Sequence, residues 1–388
     1  MRNKFGIYVH IPYCESICPF CNFNVYLSKN ARYDDLTSLL LKDLENNLNL
    51  FRDKELVSIH FGGGTPSLMP LNYIEQVISR IYKMFKVSNK CEIALEVNPY
   101  ESEYHNTKSL SNLGINRLSV GMQSFSDEKL KLLGRKSTRE TNIEFASKIT
   151  NSQISNINFD FIFGVSNEAL NSWEDDLSYA LNFDISHVST YLLTIEESTP
   201  FWMLRDRGEI KEVSDETFLE MTKLSKEILS KSGINQYEIS NFSKESFEST
   251  HNLLYWEGDS YLGIGPGAHS SLIDFDMKIY RRWINPNSMR DYEVFLSNNL
   301  SNSDSSLCTL DDYIKDSIIM GLRLSSGLDF DKPRKIKNFS FNDKVIGMLL
   351  EEDLIENTRS NCKLTSKGLN VSNEVIFRLI DGLQFMDT

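Results

Sequence analysis

Six short runs rich in Val, Ile, Phe and Tyr punctuate the first 240 residues, with longer helix-patterned stretches between them. The runs are Phe5–Ile11, Leu56–Phe61, Glu92–Val97, Arg117–Gln123, Ile157–Phe163 and His187–Ile195. Each has strand length and β-branched or aromatic content. The intervening stretch Tyr33–Leu50 sets Leu36, Leu40, Leu44 and Leu48 at four-residue steps, one face of a helix. Leu71–Phe85, after Pro70, and Trp173–Leu181 read the same way. Repeated β-then-α units predict an α/β fold with a parallel sheet. Right-handed crossovers wind such a sheet into a full or partial barrel.

The alternation stops near residue 240. Residues 241–305 carry NFSKESFESTHNLLYW, the glycine-rich YLGIGPGAHS and a polar stretch ending in the Ser/Asn-rich Ser297–Ser306, expected to be a flexible connection. From Asp311 onward, helical runs return at Tyr313–Leu324 and Val345–Leu354. A hairpin pattern in IENTRSNCKLT and a final helix over Lys367–Leu383 follow. That order predicts a small helical domain with a β-wing, separated from the first 240 residues. A length of 388 residues suits two domains, or one with an appendage.

The net charge of −13 gives the chain no general reason to bind nucleic acid. No apolar run reaches membrane-spanning length, and MRNKFGIYVHIPYC lacks a secretory h-region, so a cytoplasmic location is expected. In a reducing compartment the three cysteines Cys14, Cys18 and Cys21 read as a metal or redox site rather than as disulfides. Random placement of six cysteines would give about 0.001 such C-x3-C-x2-C runs. Three thiolates on a loop can hold three irons of a [4Fe–4S] cube and leave the fourth open. Structural zinc, with His10 as a stray ligand, and plain buried thiols are the alternatives.

Other polar residues sit where strands are expected to end. Gly62-Gly63-Gly64-Thr65 follows the second run, and glycines there allow a ligand close to the backbone, although a simple turn would look the same. Glu96 and Gln123 lie at or next to the ends of later runs, Asp160 lies within NFDFIFG, and Arg135 follows in LGRK. Singly, each is an ordinary cap or solvated residue. Parallel strands deliver their ends to one face, so together they would converge. Glu96 would accept from an ammonium or ribose hydroxyls, Gln123 and Asp160 would bind hydroxyls, and Arg135 would fork onto a carboxylate. In HNLLYW, His251 is a candidate iron ligand, with Tyr255 and Trp256 offering flat faces to a macrocycle. The ordinary reading of those three is a core aromatic pair with a satisfied histidine. His269 in GPGAHS shares that ambiguity.

YVHIPYCESICPFCNF, HFGGGTPS, LEVNP, RLSVGMQSF, LGR, FDFIFG, YEISNF, HNLLYW and YLGIGPGAHS occur in the order found in radical S-adenosylmethionine (SAM) proteins. The chain resembles the branch that holds oxygen-independent coproporphyrinogen III oxidase and its haem-chaperone relatives, over nearly its whole length. The resemblance implies a partial (β/α)6 TIM-like barrel with a smaller C-terminal, winged-helix-like domain. Residues 1–240 would be the radical SAM core, 241–305 the haem-motif region and linker, and 306–388 the C-terminal domain. Cys14, Cys18 and Cys21 would ligate the [4Fe–4S] cluster, with SAM's amino and carboxylate groups on the open iron. Tyr8, Phe20 and Asn22 would lie beside the cluster and SAM. Gly63, Gly64 and Thr65 would hold SAM's methionine part, and Glu96, Gln123, Arg135 and Asp160 would make the remaining SAM contacts. His251 would ligate haem, with Tyr255 and Trp256 packing nearby.

Two functions follow from the resemblance. A chaperone would bind haem and pass it to haem-requiring respiratory proteins, the cluster and SAM being structural or regulatory and controlling dimerisation. Such a carrier could touch the membrane surface to reach its acceptors, though no residue points to it. An oxidase would decarboxylate two coproporphyrinogen propionates, consuming SAM. The oxidases carry a long extension before the barrel, whereas here Cys14 lies thirteen residues from the start. Phe23 also stands where the oxidases have a further cysteine, and HNLLYW is the chaperone mark. The chaperone is therefore the expected function, without coproporphyrinogen decarboxylation.

Overall fold

A computed structural model of the chain describes residues 4–99, 107–298 and 307–386. All six β-rich runs are strands: β1 (Lys4–Ile11), β2 (Glu55–Gly63), β3 (Lys86–Val97), β4 (Arg117–Gln123), β5 (Asn156–Phe163) and β6 (His187–Leu192). Each pairs in parallel with the next. Their helix-facing residues, among them Ile7, Val9, Ile59, Phe61, Leu95, Val120, Phe159 and Phe161, are fully or almost fully buried in one core. The helix Tyr33–Phe51 lays Leu36, Leu40 and Leu44 on that core. Asp43 and Asn47 are buried on the same helix, which its leucine spacing did not foretell.

Six further strands of the sheet lie outside those runs. After β7 (Asn235–Gln236) and β8 (Asn241–Ser243), of which β8 pairs antiparallel with β6 and β7 antiparallel with β8, the chain crosses to the other side of the sheet. There β9 (Ser260–Ile264) pairs in parallel with β1, and β10 (His269–Asp274), β11 (Ile279–Ile284) and β12 (Leu307–Cys308) continue antiparallel. Among the described residues the order is β12-β11-β10-β9-β1-β2-β3-β4-β5-β6-β8-β7, an open twelve-stranded sheet that makes the barrel partial. The sheet therefore continues through the segment in which the alternation had ended. Glycine hid the signal: a Cβ on Gly263 of β9 would lie 2.1 Å from the His269 carbonyl oxygen, so close passage of β9 and β10 excludes any side chain.

The expected Ser/Asn-rich connection falls largely on 299–306, outside the described residues. Beyond it lie the helices Leu310–Gly321 and Asp343–Glu351 and the antiparallel hairpin Ile355–Asn357 with Asn361–Leu364. The expected final helix is two helices, Ser366–Asn370 and Ser372–Asp381, because Val371 between them is not helical (φ −123°, ψ 32°). A second core fills this part and reaches Ile273 and Tyr280 of β10 and β11, so the small domain leans on the added edge of the sheet. No helix among the described residues is long and apolar enough to cross a membrane.

Candidate functional site

The cysteine loop leaves the C-terminal end of β1 and is tied to the end of β2. Gly64 donates its N–H to the Ile11 carbonyl (2.8 Å) and Thr65 donates to that of Tyr13 (2.8 Å). Gly63 donates toward the Glu96 carboxylate at 3.3 Å. The N–H groups of the glycine strip are thus spent on the chain itself. They fix the loop, and what they leave to a ligand is carbonyl oxygen and space. Gly64 must be glycine because a Cβ there would sit 2.7 Å from the Tyr13 carbonyl oxygen and 3.0 Å from the Cys14 sulfur. Gly63 combines a φ of +113° with a Cβ position 2.6 Å from the His10 ring.

Cys14, Cys18 and Cys21 all line one cavity of about 520 Å3 at the C-terminal ends of the parallel strands. Each is partly exposed, and none forms a disulfide. Thr65 Oγ1 donates to Cys14 Sγ at 3.6 Å, and Arg135 approaches Cys18 Sγ at 3.7 Å. Burial pushes the Cys21 thiol up, a backbone hydrogen bond from Phe23 pulls it down, and Cys18 and Arg135 act in opposite directions. Among the described residues no three His, Cys, Asp or Glu side chains gather closely enough to hold a single metal ion. A cube takes each thiolate on a different iron. Three accessible sulfurs on one rim, with a guanidinium beside them, fit a cluster.

The rest of the cavity is polar. Tyr8, Phe20, Gly63, Gly64, Thr65, Glu96, Gln123, Arg135 and Asp160, singled out from the sequence, all line it. Glu96 takes a 2.9 Å contact from His60 Nε2. Asp160 accepts from Ser119 Oγ and Asn158 Nδ2, each at 2.8 Å, and burial raises its carboxyl above the usual range. Gln123 sits in the left-handed region at φ 63°, beside the irregular pairing of β4 with β5, so its backbone is strained where it meets the cavity. Acceptors on one side and a guanidinium on the other suit a zwitterionic ligand. Asn98 was missed: it bridges Arg135 and Thr65 Oγ1, to which it donates at 3.1 Å. The signal was its place two residues after Glu96, on the same side of an extended chain. Asn158, two before Asp160, follows the same rule.

HNLLYW forms the short helix Thr250–Trp256, whose first N–H groups at Thr250 and His251 are held by the buried Glu92 at 3.1 Å each. His251 is 1% exposed. Its Nδ1 contacts Ser58 Oγ at 2.8 Å and its Nε2 contacts the Tyr255 hydroxyl at 2.7 Å. Burial, and then the neighbouring His60, hold it well below the ordinary imidazole range. To meet an iron the ring would have to give up one of these partners. The structure thus places His251 in a buried chain rather than at an open coordination position.

A second cavity, of about 850 Å3, lies between β9–β11 and the helix Leu310–Gly321. Tyr255 and Trp256 line it, with Tyr261, Tyr280 and Tyr313, and Asn22 opens onto it rather than onto the cavity of the thiols. Tyr8, Phe23, Gly63, Glu96 and Tyr255 line both cavities and form the wall between them.

Comparison with known proteins shows the family and the fold. The Radical SAM superfamily profile matches residues 8–180. The chain is 31% identical to the heme chaperone HemW of Bacillus subtilis (strain 168), over 95% of this chain and 97% of that protein. It is 33% identical to heme chaperone HemW of Buchnera aphidicola subsp. Acyrthosiphon pisum, over 96% and 97%. Among solved structures, coproporphyrinogen III oxidase (HemN) of Escherichia coli, a radical SAM enzyme, superposes with a TM-score of 0.77 at 20% identity, covering 97% of this chain and 90% of that one.

Proposed function

The chain belongs to the heme chaperone HemW family of radical SAM proteins, and on that premise we propose that it binds haem and delivers it to haem-requiring respiratory proteins. Cys14, Cys18 and Cys21 would hold a [4Fe–4S] cluster. Gly63, Gly64, Thr65, Glu96, Gln123, Arg135 and Asp160 would hold SAM, with Tyr8 and Phe20 walling the site. When bound, the reduced cluster can supply an electron to SAM's sulfonium. The chain's own residues orient the ligand and keep water out. Glu96 and Asp160 accept from its hydroxyl and ammonium groups, and Arg135 pairs its carboxylate. Haem would lie in the second cavity, against the faces of Tyr255 and Trp256. Delivery to acceptors, passing contact with a membrane surface and dimerisation under control of the cluster belong to the same reading.

The observation that carries this reading is the second cavity, broad and aromatic, sharing a wall with the cavity of the thiols. Cofactor pockets run to about 300–1,000 Å3. Anaerobic reconstitution should load the cluster. Haem titration should then shift the Soret band to saturation, and coproporphyrinogen with SAM should yield no protoporphyrinogen. Robust product would instead assign the oxidase activity.

A further inference from the structure

An imidazole that binds iron must present an uncommitted nitrogen lone pair. Of the described histidines, His10, His187 and His251 have both ring nitrogens engaged. His60 bonds Glu96 through Nε2, and its Nδ1, which has no hydrogen-bond partner, is buried, and the residue does not line the second cavity. Among the described residues His269 alone keeps both nitrogens uncommitted, and it lines the second cavity. Its position is set by the sheet. His269 and Ser271 are two apart on β10 and so point to one face, and Ser271 pairs with Arg282 of β11. Arg282 therefore stands on the same wall. Its contact with Asp316 at 2.9 Å uses one of five donors.

We propose that His269 would supply the imidazole that ligates haem iron in the second cavity, and that Arg282 would pair with a haem propionate. This assignment rests on the haem-binding reading above. The opposite wall supplies Tyr313 and Met320, and Phe23, 66% exposed, stands at the rim where a macrocycle would cover it. His251 acts at one remove, by fixing the Tyr255 hydroxyl on the shared wall. It is a positioning residue.

The test is haem titration of the anaerobically reconstituted full chain, followed by optical and ferric EPR spectra. His269→Ala should lose the imidazole-ligated signature and weaken haem binding at least about tenfold, with cluster iron and circular dichroism unchanged. Added imidazole should restore the spectrum. His269→Tyr should exchange it for a phenolate-ligated one. Arg282→Ala should weaken binding of haem but not of its dimethyl ester. His251→Gln should keep the imidazole signature. An unchanged spectrum in both His269 variants, or its loss in His251→Gln alone, overturns the assignment. A wild-type chain with no haem spectrum overturns the haem-binding reading itself.

Discussion

The Arg135 guanidinium lies 3.7 Å from the sulfur of Cys18, although 117 residues separate them in the chain. It is held there by the Gly121 carbonyl (3.0 Å) and by Asn98. A fixed positive charge beside a cluster favours the state with the extra electron. Arg135→Gln should lower the midpoint potential of the reconstituted cluster by about 60 mV, a tenfold change in a one-electron equilibrium. Arg135→Lys should lower it less. Redox titration followed by EPR measures both, and equal potentials in all three proteins would remove Arg135 from the cluster's field.

Gly64→Ala should force the cysteine loop off the end of β2, because the new methyl meets the Tyr13 carbonyl at 2.7 Å. Overpacking of this kind costs about 1–3 kcal/mol. Reduced iron and sulfide retention, together with a lower unfolding midpoint, is the expected result. Wild-type retention would show that the loop yields freely.

Among the described residues no cation pairs with Asp43. It accepts from Tyr292 (2.6 Å), Asn285 (2.8 Å) and the Gly265 N–H (3.3 Å), and burial raises it from 3.8 to about 6. The folded state thus holds this proton more tightly than the unfolded chain does. Its stabilisation is complete below pH 3.8 and is lost as pH rises through 6, about 3 kcal/mol in all. Urea unfolding from pH 4 to 7 should show that slope, and Asp43→Asn should flatten it. Parallel slopes would mean that Asp43 is not the titrating group.

Lys129 is buried with Glu168 and Asp176, at 2.5 and 3.1 Å, and lies over the Trp173 ring. Lys129→Met strands two buried carboxylates and should cost about 3–5 kcal/mol in chemical denaturation. Adding Glu168→Gln and Asp176→Asn should recover part of the loss. If the triple variant is no more stable than the single one, charge is not the cause.

The strands β1–β6 were legible because β-branched and aromatic runs announce themselves, and the thiol trio because its spacing is improbable by chance. β9–β12 were not, since Gly263 and the GPG turn erase the alternation that marks a strand. Nor could the state of His251 be read. Its tautomer and availability depend on Ser58, 193 residues away, and on the Tyr255 hydroxyl. The leucine spacing of its helix says nothing of Asp43, whose partners Gly265, Asn285 and Tyr292 come from far along the chain. Motifs mark which side chains matter, whereas their hydrogen bonds depend on long-range closure.

The parallel pairing of β9 with β1 also has a temporal consequence. During translation β1 precedes its partner, Ser260–Ile264, by some 250 residues. At about 5–20 residues per second, one edge of β1 stays bare on the ribosome for on the order of ten seconds or longer. Nascent chains of this protein should therefore depend on holding factors until the latecomer strand arrives.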